Sequence, residues 1–429
     1  MIKKPFPIVE VTLDKIVGGG QTLGTLEDGR KVFVWGGLPD ETVRVQLTKK
    51  KTNYAEGVVV EVLAPSPERV LPKDDESYLS TSPWQIMSLE TENRYKSALI
   101  EEAFELHDIV LPNVIETYSD GVEYGYRNKV EFSFWFDNDT QQLSLAFFRR
   151  GTHGKLPVTG TSLASDAINS KANEIVEVLN KLDIEGRALK TLLIRSDANG
   201  NTAWQLYVKD EDFDTEAVLK RVAYSENGEI IYSNPKSPAS VITKRLTPKA
   251  EPLTDTILDV PFRYATEGFF QINLPVYEQA LKDMQKWVSE DRQAVDLYSG
   301  VGSVGLTIGG VDVTLIEINE HAVREMERNI ETLEKRATPI LAASENALDY
   351  ITSDKTIIVD PPRAGLHEDV IDRLLEQKPA RIIYLSCNPV TQARDVARLA
   401  SAYGIKSHRG YNFFPHTPHI EHLTVLDLY

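Results

Sequence analysis

Val295-Asp296-Leu297-Tyr298-Ser299-Gly300-Val301-Gly302-Ser303-Val304-Gly305 reads as a buried strand that runs into a glycine-rich turn and then a helix. Glycines at 300, 302 and 305 let the backbone approach a ligand at the strand end. The spacing alone suits dinucleotide and S-adenosylmethionine sites alike. Outward from it, Ala294–Tyr298, Thr314–Glu317, Thr356–Val359 and Ile382–Leu385 are apolar runs with helical patterns between them. That alternation predicts a doubly wound, Rossmann-like α/β domain over residues 251–429.

The ends of these strands carry the chemistry. Tyr298, Gly300 and Ser303 belong to the glycine-rich turn and are candidate cofactor contacts. Glu317 closes the second strand, where a carboxylate matches the two hydroxyl donors of a ribose. Glu345, after the third strand, is a weaker candidate for an adenine edge. The fourth strand ends Asp360-Pro361-Pro362-Arg363: the prolines make a rigid wall, and Asp360 can accept hydrogen bonds from cofactor or substrate. Methyltransferases acting on exocyclic amines tend to carry an aromatic after Pro-Pro. Arg363 stands there instead, which leaves Cys387, one strand later, as the reactive group.

Cys387 is the only cysteine of the chain, in Ser386-Cys387-Asn388-Pro389-Val390-Thr391-Gln392-Ala393-Arg394-Asp395. A thiol that follows a strand and opens a polar turn is presented as a nucleophile would be. One cysteine excludes an internal disulfide and a cysteine-ligated zinc or iron–sulfur site. No run approaches membrane-span length, and no apolar segment follows Lys3-Lys4, so a cytoplasmic protein is expected. The net charge of −17 argues against nucleic acid if spread evenly. It is not even: residues 1–64 hold nine Lys/Arg against eight Asp/Glu, with Lys49-Lys50-Lys51 as a basic knot.

Residues 1–66 show short strand patterns (Ile8–Leu13, Val32–Trp35, Thr42–Thr48, Gly57–Leu63) and predict a small, partly open, OB-like β-barrel. Pro65-Ser66-Pro67 marks a boundary. Residues 67–250 read as a central α+β, mostly antiparallel region, with a helix over 84–107 and strands such as Lys129–Phe136 and Ala203–Val208.

These residues resemble the S-adenosylmethionine-dependent RNA 5-methyluridine methyltransferases, in the version with an N-terminal TRAM domain. The resemblance runs over essentially the whole chain. It is carried by Tyr126-Arg127-Asn128-Lys129, Gly268-Phe269-Phe270-Gln271-Ile272-Asn273, Asp296–Gly300, Asp360–Arg363, Ser386–Asp395 and Phe414-Pro415-His416-Thr417-Pro418-His419-Ile420-Glu421. Many such relatives hold an iron–sulfur cluster through a Cys-x5-Cys-x2-Cys run. The matching positions in the 72–84 loop here are Asp74, Ser80 and Pro83, so no cluster is expected.

The resemblance implies that Cys387 adds to uracil C6 and that Glu421 removes the C5 proton. Uracil C5 is a poor nucleophile until a thiolate at C6 gives it carbanion character. The C5 proton must then leave before the thiolate can, which requires a base. Gln271 is expected at cofactor or base, Phe269 against a base taken out of its stack, and Arg363 at developing enolate charge or a phosphate. RNA 5-methylcytosine enzymes of the other large family generally use two cysteines, which this chain lacks. The implied partner is RNA, 23S ribosomal RNA ahead of the tRNA T-loop, with no protein partner. A basic groove is expected from Lys49–Lys51 past Arg127 and Lys129. His416 and His419 receive no role. Two other readings stay open, a non-catalytic RNA-binding protein and a methyltransferase of another substrate.

Overall fold

Alternating burial shapes the first strand: Val11 and Leu13 point inward while Glu10 and Thr12 face out. It belongs to a barrel of β1 (Ile8–Ile16), β2 (Thr22–Thr25), β3 (Lys31–Trp35), β4 (Thr42–Lys50) and β5 (Tyr54–Ala64). The computed structural model describes residues 6–152, 154–288, 293–310 and 312–429; the N-terminal Lys3-Lys4 lies outside them. The barrel is closed in the order β1-β2-β3-β5-β4, where the sequence predicted a partly open one. Closure comes from two pairings that connectivity hides. β5 lies parallel to β3, and β1 runs antiparallel to β4. β2, only Thr22-Leu23-Gly24-Thr25, is too short to announce itself.

Contacts sort the chain into two units rather than by a linear cut. One takes the chain up to Glu92, Val122–Glu251 and Pro415–Pro418; the other takes Asn93–Gly121, Pro252–Phe414 and His419–Tyr429. β6 (Thr117–Tyr118) belongs to the second. Helices α1 (Tyr78–Thr81) and α2 (Leu89–Glu105) follow the barrel.

The first unit adds a sheet of β7 (Lys129–Asp137), β8 (Gln142–Phe148), β9 (Lys155–Val158), β10 (Leu189–Ser196), β11 (Thr202–Val208), β12 (Gly228–Tyr232) and β13 (Lys244–Arg245). Its order is β13-β12-β11-β10-β7-β8-β9, antiparallel except where β11 meets β12. α3 (Asp166–Lys181) buries Ile168, Ile175 and Leu179 in its core, and α4 (Thr215–Leu219) adds Val218. In the 72–84 loop the Asp74 carboxylate accepts from Ser162 N (2.9 Å), Thr161 Oγ1 (2.9 Å) and Gln85 Nε2 (3.1 Å). A single carboxylate thus ties that loop to residues 161–162 with charge-assisted bonds.

The second unit holds the hairpin β14 (Leu253–Ile257) and β15 (Val260–Tyr264). Its main sheet is β16 (Ala294–Leu297), β17 (Val313–Glu317), β18 (Ala337–Leu341), β19 (Thr356–Val359), β20 (Arg381–Ser386), β21 (Tyr403–Tyr411), β22 (Glu421–Leu428) and β6. The order is β18-β17-β16-β19-β20-β22-β21-β6. β16 to β20 are mutually parallel, and β22 is antiparallel to both neighbours. The connecting helices are α5 (Leu274–Gln285), α6 (Ser303–Ile308), α7 (Glu320–Leu333), α8 (Glu368–Gln377) and α9 (Pro389–Leu399). β16 and β19 are buried at every residue, the mark of a sheet covered on both faces. Among the described residues no helix is long and apolar enough to cross a membrane.

Candidate active site

The parallel strands end together, as ligand sites of this architecture require. At the end of β16, Asp296 is fully buried; its Oδ2 accepts from Gly305 N at 2.9 Å, while Oδ1 has no hydrogen-bond partner. Burial, with the charges of Asp360 and Glu317 added, pushes Asp296 up to about 8 against the pull of the Gly305 bond. Tyr298 follows with φ +65°, a strained value for a side chain of that size. Gly300, at φ +57°, has nothing within 4 Å of where a Cβ would stand. Its N–H donates to Glu317 Oε2 at 2.9 Å, and Asn319 N donates to Oε1 at 2.7 Å. Glu317 is therefore turned toward the glycine loop by backbone donors.

A cavity of about 750 Å³ opens beside these strand ends, lined by Tyr298, Glu317, Glu345, Leu366, His367 and Arg394 among others. Its far wall is braced by Asp395, whose Oδ2 accepts from Leu366 N (2.8 Å) and Tyr384 Oη (2.9 Å). Gly365 is needed there: its φ is +82°, and a Cβ would lie 2.5 Å from Asp395 Oδ2. Of the cofactor candidates, Tyr298 and Glu317 line the cavity. Gly300, Ser303, Asp360 and Gln271 stand outside its lining. Ser303 Oγ is engaged with Tyr277 Oη at 2.9 Å, and Gln271 is half-buried in the segment between β15 and α5.

Pro362 lines the same cavity, and two residues before it Asp360 joins a second cluster with Cys387, Glu421 and Arg363. Burial pushes the Asp360 carboxyl up to about 7. The half-buried Cys387 thiol is pushed up to about 12, first by burial, then by Glu421 and Asp360, with Arg363 opposing. Glu421 is held well above the usual carboxyl range by burial and by Asp360, against Arg363 and Lys96. The turn bearing the thiol is pinned to the loop after β19: Asn388 Nδ2 and Thr391 Oγ1 donate to Arg363 O at 2.9 and 3.2 Å.

Several participants escaped the sequence reading. Lys96 is fully buried and donates to Asn412 Oδ1 (2.6 Å) and Phe414 O (3.2 Å). Only its place in an amphipathic helix was visible, and a buried lysine reads as an exposed one there. His419, given no role, meets Arg363 Nη2 at 3.0 Å through Nδ1. In the other unit His416 is buried against Glu123 (3.1 Å) and Glu92 (3.7 Å) and stacks on Tyr124. Phe269 and Phe270 separate: Phe270 is buried and stacked 4.0 Å from Tyr264, whereas Phe269 is 73 % exposed. Lys49 of the basic knot is bonded to Glu56 at 2.6 Å.

With this geometry in view, residues 251–427 match the family model described as tRNA (Uracil-5-)-methyltransferase, and residues 4–60 match the TRAM domain. The chain joins a TRAM domain to a tRNA (uracil-5)-methyltransferase family domain. The chain is an RNA methyltransferase. An uncharacterized RNA methyltransferase of Fusobacterium nucleatum is 29 % identical, over 96 % of this chain and 94 % of the relative. A 23S rRNA (uracil(1939)-C(5))-methyltransferase of a Shewanella species is 26 % identical, over 93 % and 91 %. The solved tRNA (uracil-54, C5)-methyltransferase of Pyrococcus abyssi, in complex with S-adenosyl-L-homocysteine, superposes with TM-score 0.77 at 22 % identity, over 97 % of this chain and all of that one. That likeness speaks for the fold.

Proposed function

We propose that this chain methylates C5 of uridine in structured RNA, with Cys387 as the nucleophile and Glu421 as the acceptor of the C5 proton. The observation that carries this is the meeting of one thiol and two elevated carboxyls, Asp360 and Glu421, at adjacent strand ends under the field of Arg363.

The residues fit S-adenosylmethionine on the structure's own terms. Asp296, Asp360 and Glu317 interact as like charges, and Asp296 keeps one buried oxygen without a donor. A cationic ligand relieves both features. Tyr298, Glu317 and Glu345 would hold its nucleoside half in the cavity, with Gly300 giving backbone room; Asp296 and Asp360 would face its charged part. When bound, the cofactor supplies an electrophilic sulfonium methyl to a C5 made nucleophilic by the thiolate.

The chain's own groups do the rest. Cys387 gives up its proton to solvent and bonds to C6, the C5–C6 π electrons move out as an enolate, and Arg363 steadies the charge that spreads to the exocyclic O4. Glu421 takes the C5 proton after methylation; those electrons restore the C5–C6 double bond and expel the thiolate. Phe269, exposed and aromatic, suits stacking on an unstacked base. The RNA-binding partner of the barrel is the same RNA, through a basic path from Lys49–Lys51 past Arg127 and Lys129. The Shewanella relative favours 23S ribosomal RNA as the substrate; the name of the matching family model keeps the tRNA T-loop as the second choice. The cytoplasm is the expected place of action. The 72–84 loop, with Asp74, Ser80 and Pro83, offers no thiolate for a cluster.

The test is nucleoside mass spectrometry after incubation with labelled S-adenosylmethionine and RNA that lacks 5-methyluridine, with ribosomal and transfer RNA kept apart. Label in 5-methyluridine from the ribosomal fraction, lost in Cys387→Ala, is the expected result. Label retained by Cys387→Ala overturns the assignment of the nucleophile.

A further inference from the structure

Gln392 lies on α9, shortly after Cys387, and is fully buried. Its Nε2 donates to Tyr384 O at 3.0 Å, on the strand that leads to the thiol. It also donates to His422 O at 3.0 Å, on the residue after Glu421, and reaches Thr424 Oγ1 at 3.2 Å. Carbonyl oxygens only accept, so the amide has one orientation: Nε2 toward both strands, Oε1 away from them. Oε1 meets His422 Nδ1 at 2.7 Å. An amide oxygen also only accepts, so His422 carries its ring proton on Nδ1.

The ladder between β20 and β22 runs from Arg381 opposite Asp427 to Ser386 opposite His422, and stops there. Cys387 and Glu421 are the next residue on each strand. That ladder does not pair them with each other, although Glu421 is registered with Tyr411 on β21. Gln392 bridges the two strands here, bonded to both within three residues of the two reacting groups. An apolar residue of the same size would fill this buried site without the cost of desolvating an amide.

We propose that Gln392 is a positioning residue for the Cys387–Glu421 pair, resting on the roles given to those two residues above. It holds the turn that carries the thiol and the strand that carries the carboxylate at one separation. Without it Glu421 drifts from the C5 proton. Proton removal slows, and the C6–S bond persists in a methylated protein–RNA adduct.

The experiment is steady-state and single-turnover methylation by full-length Gln392→Leu, with unmodified RNA, beside wild type and Cys387→Ala. The expected result is a kcat lowered roughly ten- to hundredfold, the scale of an ångström-sized misplacement, with KM for RNA falling alongside it so that kcat/KM stays within about twofold, because the slowed step follows methyl transfer. A covalent protein–RNA species should accumulate on denaturing gels, and should vanish when Cys387→Ala is added. S-adenosylmethionine binding stays as in wild type, because Gln392 is not part of the cavity lining. Should Gln392→Leu fold poorly, Gln392→Glu keeps the volume and an acceptor, and the same kcat-against-KM split is read from it. Activity within twofold of wild type, or a loss that only follows the folded fraction, overturns the positioning role. Full activity in Cys387→Ala would instead overturn the site assignment, and the role of Gln392 with it.

Discussion

Ser386 on β20 stands opposite His422 on β22, so Cys387 and Glu421 are the next residues beyond that pair, and Glu421 raises the cost of ionising the thiol. Directly opposite residues of antiparallel strands have Cβ atoms about 4.5–5.5 Å apart, and these two groups stand one step beyond such a pair. The thiol and the base of the proposed reaction follow directly on the last registered pair of β20 and β22, although the sequence separates them by a helix, a strand and a loop.

Glu421→Gln should act in opposite directions on two measurements. Turnover should fall about 10²–10⁴-fold, the range for a lost general base. Alkylation of Cys387 by iodoacetamide should quicken, because one of the charges holding the thiol up to about 12 is gone. In wild type, alkylation should keep rising with pH to at least 10 without a plateau. Only one cysteine exists, so mass spectrometry reads it without ambiguity. A plateau near the ordinary thiol range of about 8.5 would contradict the elevated value.

Asp296→Asn should separate stability from cofactor binding. The folded carboxyl titrates at about 8 and the unfolded one near 3.9. A group raised on folding gives its stability fully below about pH 4, and loses it as pH climbs toward 8. The cofactor-free Asn variant should therefore out-melt wild type at pH 9 by more than it does at pH 5. Its affinity for S-adenosylmethionine should be weaker, since the carboxyl that can ionise against the cation is gone. Equal melting differences at both pH values would count against a buried, ionisable Asp296.

Arg69→Ala should destabilise the barrel. Glu41 is fully buried, accepts from Leu38 N (2.8 Å) and Ser66 N (3.1 Å), and is paired with Arg69 through Nη2 at 2.7 Å. Removing the arginine strands a buried carboxylate, at about 3–5 kcal/mol. Denaturant titration of the full chain should show an earlier first transition.

Phe269→Ala should weaken RNA rather than chemistry. Its ring is exposed, while the neighbouring Phe270 is core. Loss of one stacked base is worth about 1–3 kcal/mol, or roughly a ten- to hundredfold rise in KM for RNA. Phe270→Ala should instead lower the melting temperature, and a swap of these two outcomes would reverse the assignment.

The parallel half of the large sheet was legible from residue pattern alone. β16, β17, β19 and β20 are apolar runs closed by Gly, Glu, Asp-Pro-Pro and Ser-Cys, and strand ends of a parallel sheet converge whatever the loops do. Candidates drawn from those ends therefore landed near one another. The tertiary structure alone decided the rest, because it depends on pairing between segments far apart along the chain. β6 arrives from residues 117–118 to flank β21, and the barrel closes through β3 and β5. The buried Lys96 and Gln392 are polar residues whose partners are backbone oxygens and an asparagine on distant strands. Residue type and spacing announce which side chains can do chemistry. Which buried polar groups hold them in place is set by hydrogen bonds that exist only once the strands have found their register.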